Sequence, residues 1–390
     1  MSWEKVKLGE LYEVHNGLSK GSKFFGTGYP FLTFSTVFNN YFLPEALTDF
    51  VQSSEAEQKN YSICAGDVFV TRTSETSDEL GMSCVALKDY PTATYNGFTK
   101  RMRPLTDRVY PRYIGYYMRM PSFRGKFQAF STMTTRASLK NDDLLSLEIA
   151  LPSIDIQKRI ADILSAYDSL IENNQNQIKL LDEAAQRLYK EWFVNLRFPG
   201  YETTPVVDGI PQGWQKKLVG DVIGKIPRSK QIMASDYQKD GSIPIIDQSR
   251  DFIAGYTNDA ESLVNMNQPV IVFGDHTRIL KYIQFPFAKG ADGTQLIISN
   301  EENLPQSLLY FGLIAIDLTN YHYARHFKYL KAESILIPTE EIAKEYDRIV
   351  SPILEQIQKL RDVSKESAQA RDRLLPKLMS GEIEVYGEYS

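Results

Sequence analysis

The chain has 390 residues, of which 43% are hydrophobic and 12% aromatic, and its net charge is −5. Such a length exceeds one ordinary domain, and such an apolar content fills real cores; a disordered or low-complexity chain is excluded and two or three domains are expected. The acid excess excludes a uniformly basic nucleic-acid binder, so the distribution of charge matters more than its sum. Cys64 and Cys84 have no paired spacing and read as reduced thiols. The amino terminus, MSWEKVKLGE, lacks the apolar core of a secretion signal. The longest apolar run, Leu308 to Ile316, falls far short of the roughly 20 residues of a membrane span. A soluble, cytoplasmic protein is expected.

Residues 1–150 read as a mixed α/β block, with short β-rich runs at Tyr29–Phe34 and Val68–Thr71 and a helical stretch at Tyr110–Met120. Residues 99–140 hold ten Lys and Arg against one acid, Asp107. They interleave Lys100, Arg101, Arg103, Arg124, Lys126 and Arg136 with aromatic residues, a pattern suited to phosphates and base edges. After Val68–Thr71 comes the polar loop Arg72, Thr73, Ser74, a candidate for base reading.

An apolar run ending at Leu151 is closed by Pro152, and a long helix is predicted over 151–197. Its seam, Ile160, Leu164, Tyr167, Ile171, Asn174, Ile178, Leu181, Ala185, Leu188 and Trp192, alternates steps of four and three. That is a coiled-coil stripe with one polar member, Asn174, placed to fix register. Residues 198–213 carry the Pro and Gly of a linker. A second mixed block follows at 214–337, with β-rich runs at Val270–Phe273 and Gln295–Ile298 and a helix at Leu308–Leu318. Its polar loops offer Asp275, His276, Thr277 and Arg278, then Asp292 and Gln295, and a smaller basic stretch supplies Arg325 and Lys328. A second long helix is predicted over 338–380, with a kink or fresh start at Pro352, and 381–390 is a tail.

The blocks repeat with a period of 186 residues: Pro152 matches Pro338, and Arg187-Leu188 matches Arg373-Leu374, with no gap between. Trp3-Glu-Lys-Val-Lys-Leu-Gly-Glu likewise resembles Trp214-Gln-Lys-Lys-Leu-Val-Gly-Asp. The expected fold is α+β: two mixed α/β blocks, each followed by a long helix, with the two helices pairing as a coiled coil. Catalytic patterns are missing. Gly26-Thr-Gly28 follows no clear strand and lacks a phosphate-loop Lys, His322 and His326 have no third ligand motif, and neither a Walker loop nor an Asn-Pro-Pro-aromatic tetrapeptide is present.

With the repeat, the string Leu151-Pro-Ser-Ile-Asp-Ile-Gln-Lys-Arg-Ile-Ala-Asp-Ile-Leu, Leu188-Tyr-Lys-Glu-Trp-Phe and Leu374-Leu-Pro-Lys-Leu-Met-Ser-Gly-Glu-Ile, the chain resembles the specificity subunits of type I restriction-modification systems over essentially its whole length. The resemblance implies a non-catalytic DNA-binding subunit whose two target recognition domains each read half of a split site. It implies that the two helices form an antiparallel coiled coil of pseudo-two-fold symmetry, which sets the gap and docks two modification (methyltransferase) subunits, together with restriction subunits. No cofactor is expected in this chain; S-adenosylmethionine, ATP and Mg²⁺ are expected in the partners. One alternative is the recognition subunit of a related type II system. Another, of a different class, is a coiled-coil scaffold that binds protein.

Overall fold

A computed structural model describes residues 3–74, 80–129, 137–227, 229–321 and 325–385. The chain divides into two compact units, Met1–Ile171 with Lys365–Ser390, and Glu172–Ser364.

The first unit is built on the strand Val68–Thr71, an unbroken apolar run buried on both sides. Side chains alternate across a strand, so Val68 and Val70 enter one core, with Tyr113, Tyr116 and the long-helix residues Ile160 and Leu164. Phe69 enters another, with Cys84 and Tyr95. The strand lies between Ser83–Val85 and Thr99–Pro104, and Tyr12–Asn16 completes this antiparallel sheet. Phe25–Leu32 pairs antiparallel with Asp49–Val51 and parallel with Thr94–Tyr95. Gly26 and Gly28 lie inside that strand, where the register shifts opposite Val51, and do not follow a strand as a phosphate loop would. They belong to a bulge.

The second unit repeats this plan. Val270–Gly274 sends Ile271 and Phe273 to one core and Val270 and Val272 to another. It lies between Leu280–Ile283 and Thr294–Ile297, antiparallel to both. Ile243–Ile246 pairs antiparallel with Gly255–Thr257 and parallel with Phe287–Lys289. The matches extend to single hydrogen bonds. Glu4–Lys7 pairs with Glu148–Leu151, and Leu8 N donates to Leu147 O at 2.8 Å. Gln215–Leu218 pairs with Ser334–Ile337, and Val219 N donates to Glu333 O at 2.8 Å. The short helix Asn141–Ser146, the strand Glu148–Leu151 and the start of the long helix at Ile154 recur 186 residues later, at Phe327–Ala332, Ser334–Ile337 and Glu340.

The long helices span Ile154–Tyr189 and Glu340–Ser380. The first is about 54 Å long at 1.5 Å per residue, and its last turn widens to a π-type turn at Lys190–Val194. In the first unit its start packs with the end of the second helix: Leu375 and Leu378 share the core of Ile160 and Leu164, and Arg371 bonds Asp168. In the second unit its end packs with the start of the other, where the rings of Tyr189, Trp192 and Phe193 surround Tyr346. In each unit the helices therefore run antiparallel, as expected of this fold. Asn174 is buried in the seam. Pro352 produces no fresh start, because the second helix is continuous from Glu340 to Ser380. Its ring is exposed, and burial of Tyr346, Val350, Leu354 and Ile357 on the opposite stripe outweighs one lost backbone bond.

Candidate nucleic-acid interface

In the second unit the strand Val270–Gly274 ends in a four-residue loop, Asp275–Arg278, closed by Gly274 N donating to Ile279 O and Arg278 N to Gly274 O, both at 2.8 Å. The loop Gly290–Gly293 lies beside it, with Asp275 N donating to Gly293 O at 2.7 Å. The third element is the cap of Phe327–Ala332: His326 N donates to Asp275 O at 2.9 Å, and Phe327 N to Asp275 Oδ1 at 2.7 Å. Three polar segments separated in sequence thus meet in one place, and Asp275 is a buried joint rather than an open reader.

The centre of that place is Gln248, which sequence reasoning missed. Its Nε2 donates to Asp292 O at 2.7 Å, its Oε1 accepts from His276 N at 3.0 Å, and its backbone O accepts from Thr277 Oγ1 at 2.7 Å. Both loops approach it so closely that side chains are excluded. A Cβ on Gly274 would stand 2.1 Å from Thr277 Oγ1, and one on Gly293 would stand 2.7 Å from both Gln248 and His276. A signal was available: an apolar run followed by a polar turn nominated Gly274–Arg278, and Ile243–Ile246 followed by Asp247-Gln-Ser-Arg has the same form. Lys281 anchors the start of this segment through Asp247 at 3.8 Å, and its burial holds the amine below the usual lysine range.

His276, Thr277, Arg278, Asp292, Arg325 and Lys328 are exposed around this clamp, and Gln295 is half-buried on the adjoining strand. Arg278 has φ +61°, a left-handed conformation that costs a non-glycine residue on the order of 1 kcal/mol and concentrates at functional sites. Its Nη1 donates to Leu318 O at 3.2 Å and its Nε to His326 Nε2 at 3.3 Å. His326 is held below the usual histidine range, first by burial and then by the Arg278 charge. A neutral imidazole is what that contact requires, since Nε2 must accept.

The first unit uses its basic residues differently. Arg103 donates to both carboxylate oxygens of the fully buried Asp67, at 2.8 and 2.7 Å, and to Ser62 O. Arg101 donates to Ser62 O at 2.8 Å and lies over the Tyr95 ring. Lys100 is only 4% exposed and donates to the amide oxygens of Asn16 and Asn141; burial, then the nearby Arg72, pull its amine below the usual range. These heads point inward, so a local excess of basic residues does not here make a basic surface. Lys126 is exposed, with Nζ donating to Glu148 O at 2.9 Å, and Arg124 is half-buried. Arg72 is half-buried with an unpartnered Nε. Thr73 and Ser74 form a short strand with Ala137–Ser138. Arg136 lies outside the described residues, as does His322. Among the described residues no three His, Cys, Asp or Glu side chains cluster as metal ligands would, and no helix is long and apolar enough to cross a membrane.

Comparison with known proteins gives this geometry a class. The model of a family described as type I restriction modification DNA specificity domain matches residues 1–182. Along 98% of its length the chain is 25% identical to the type I restriction enzyme MjaIX specificity subunit of Methanocaldococcus jannaschii, covering 94% of that protein. It is 23% identical, with the same coverage, to the putative type I restriction enzyme MjaX specificity subunit of the same organism. The crystal structure of a type I restriction-modification system S subunit from M. genitalium superposes with a TM-score of 0.59 over 100% of this chain and 97% of that one. At 13% identity this likeness concerns the fold. The resemblance to type I specificity subunits holds from end to end.

Proposed function

We propose that this chain is the sequence-specific DNA-binding specificity subunit of a type I restriction-modification enzyme and is itself non-catalytic. Residues 1–150 and 214–337 act as the two recognition domains, joined through the helix 151–197 and the linker 198–213, with the second helix at 338–380. Each domain reads one half of a bipartite duplex site. The helices set the gap and dock two modification subunits, and restriction subunits join that assembly. S-adenosylmethionine, ATP and Mg²⁺ belong to those partners, in the cytoplasm.

The observation that carries this reading is the duplicated scaffold. Two copies of one strand plan present a loop-bearing edge, and each is followed by a helix of similar length. Such an arrangement suits two reading heads at a fixed separation, with positioning contacts to phosphates and reading contacts to bases. Selection of the full chain on randomised duplex DNA should return two conserved half-sites with a constant gap. Labelled methyl incorporation into DNA should need an added modification subunit. Binding without sequence preference, or methylation by the lone chain, overturns the proposal.

A further inference from the structure

The second unit's clamp locates the corresponding place in the first unit, where sequence composition pointed elsewhere. The parallel pairings set Phe31 and Leu32 beside Thr94 and Tyr95, as they set Ile245 and Ile246 beside Ala288 and Lys289. From each there follows the same backbone bond: Asn96 N donates to Leu32 O at 3.0 Å, and Gly290 N to Ile246 O at 2.8 Å. The antiparallel registers agree as well, with Thr71 opposite Thr99 and Gly274 opposite Thr294. The next rung is shared: Arg72 N donates to Phe98 O at 3.0 Å, where Asp275 N donates to Gly293 O at 2.7 Å. So is the last: Leu139 N donates to Arg72 O, as His326 N donates to Asp275 O, both at 2.9 Å. The turn Asn96–Phe98 therefore occupies the place of the loop Gly290–Gly293, and Arg72 that of Asp275.

The residues at that place suit a nucleic acid. The turn is fixed from within, since Phe98 N donates to Asn96 Oδ1 at 2.7 Å and Thr99 N to Asn96 O at 3.0 Å, and Gly97 N is tied to Leu18 O at 2.8 Å. It nevertheless holds the Phe98 ring 60% exposed. Single exposed apolar side chains are ordinary; a rigid turn that displays one at the edge equivalent to a polar clamp is a pre-organised contact. Beside it, Arg72 and Lys100 are neighbouring cations that share no carboxylate among the described residues, and Arg72 Nε is buried without a partner. Lys100 is spent on amide oxygens, and the Arg72 guanidinium is the second cation at this edge.

We infer that the first unit grips its half of the duplex here, with the Phe98 ring laid against a base and the Arg72 guanidinium on a phosphate. The inference rests on the DNA-reading function proposed above. An apolar ring set against a base edge discriminates through contact with the thymine methyl group, so Phe98 is a specificity residue, while Arg72 binds without regard to sequence.

The test uses the full chain and duplexes randomised in one half-site with the other held constant. Phe98→Ala should reduce discrimination at one or two adjacent first-half positions by about tenfold, with the second half unchanged. Phe98→Tyr, which retains the ring, should restore it. Because the ring is exposed, thermal unfolding of Phe98→Ala should match the parent. Arg72→Gln should weaken binding to all sequences alike and lower the slope of log affinity against log salt by about one. Full first-half preference in Phe98→Ala, or a change confined to the second half, overturns this placement alone. A parent chain without half-site preference overturns the functional reading and this inference together.

Discussion

The two units share one strand plan and use polar residues in opposite ways. On the strand that flanks the central one, Lys100 and Arg101 in the first unit stand at the register positions of Gln295 and Leu296 in the second. The first unit has turned that strand inward as a source of internal ties, with Arg103 locked on Asp67 and Lys100 on two asparagines. The second has kept it modest and built an exposed clamp at its end, around Gln248. A basic count over 99–140 therefore overstates how much of the first unit faces a phosphate. Strand register is the better guide, because it says which chain ends share an edge whatever residues they carry.

The largest expected effect breaks the comparison on the side of stability. Arg103→Ala strands the buried Asp67 carboxylate, and removing one partner of such a pair costs about 3–5 kcal/mol. Gln295→Ala, at the register position of Lys100 on the matching strand, should cost under about 1 kcal/mol. Denaturant unfolding of both variants checks this; equal small losses would mean that the inward ties are incidental. Next is Arg278→Ala, which should relax one base position of the second half-site by about 1–3 kcal/mol if its contact is bidentate. Its affinity for random duplex should hardly change. A uniform loss on specific and random DNA would reassign Arg278 to a phosphate. Smaller still is Lys126→Ala, which should weaken binding to every sequence and reduce the salt slope by about one. Lys328→Ala, equally exposed in the second unit, should do the same. A change in base preference from either would contradict a positioning role.

Much of the fold was legible because its signals are periodic. The four-three stripe from Ile160 to Trp192 and the 186-residue offset rest on burial, which composition reports faithfully, and the buried runs at Val68–Thr71 and Val270–Gly274 emerge as central strands. Of the kink or fresh start expected at Pro352, the fresh start failed because a local propensity was set against a stripe of tertiary packing that it could not see. The site was less legible for the same reason. Lys100, Arg101 and Arg103 look alike in sequence whether they face water or face Asn16, Asn141, Asp67 and Ser62, since pairing partners 36 to 84 residues away leave no local mark. The loops at Asp275–Arg278 and Gly290–Gly293 were visible as polar turns after apolar runs. Gln248 was not singled out, because a lone glutamine becomes a hub only when three chain segments converge on it.

The smallest expected effect concerns pH and separates the units once more. His326 precedes the helix Phe327–Ala332, and 186 residues earlier Lys140 precedes Asn141–Ser146, so only the second unit has an imidazole at this joint. Burial lowers the His326 pKa, the charges of Arg278 and His276 add to that, and Asp275 opposes them. With a native value below the unfolded one near 6.5, the unfolded chain binds the proton first as pH falls. The second unit's stability should therefore be fully present above the usual histidine range and decline as pH drops through it. Protonation also ends the ability of Nε2 to accept from Arg278 Nε and sets two cations side by side. Discrimination in the second half-site should weaken on the acid side before that of the first. His326→Gln keeps an acceptor without the titration, so its second-half discrimination should stay level across the same range. Selectivity for each half-site measured from pH 7.5 downward decides the point: parallel acid losses in the parent and in His326→Gln would place the titrating group elsewhere.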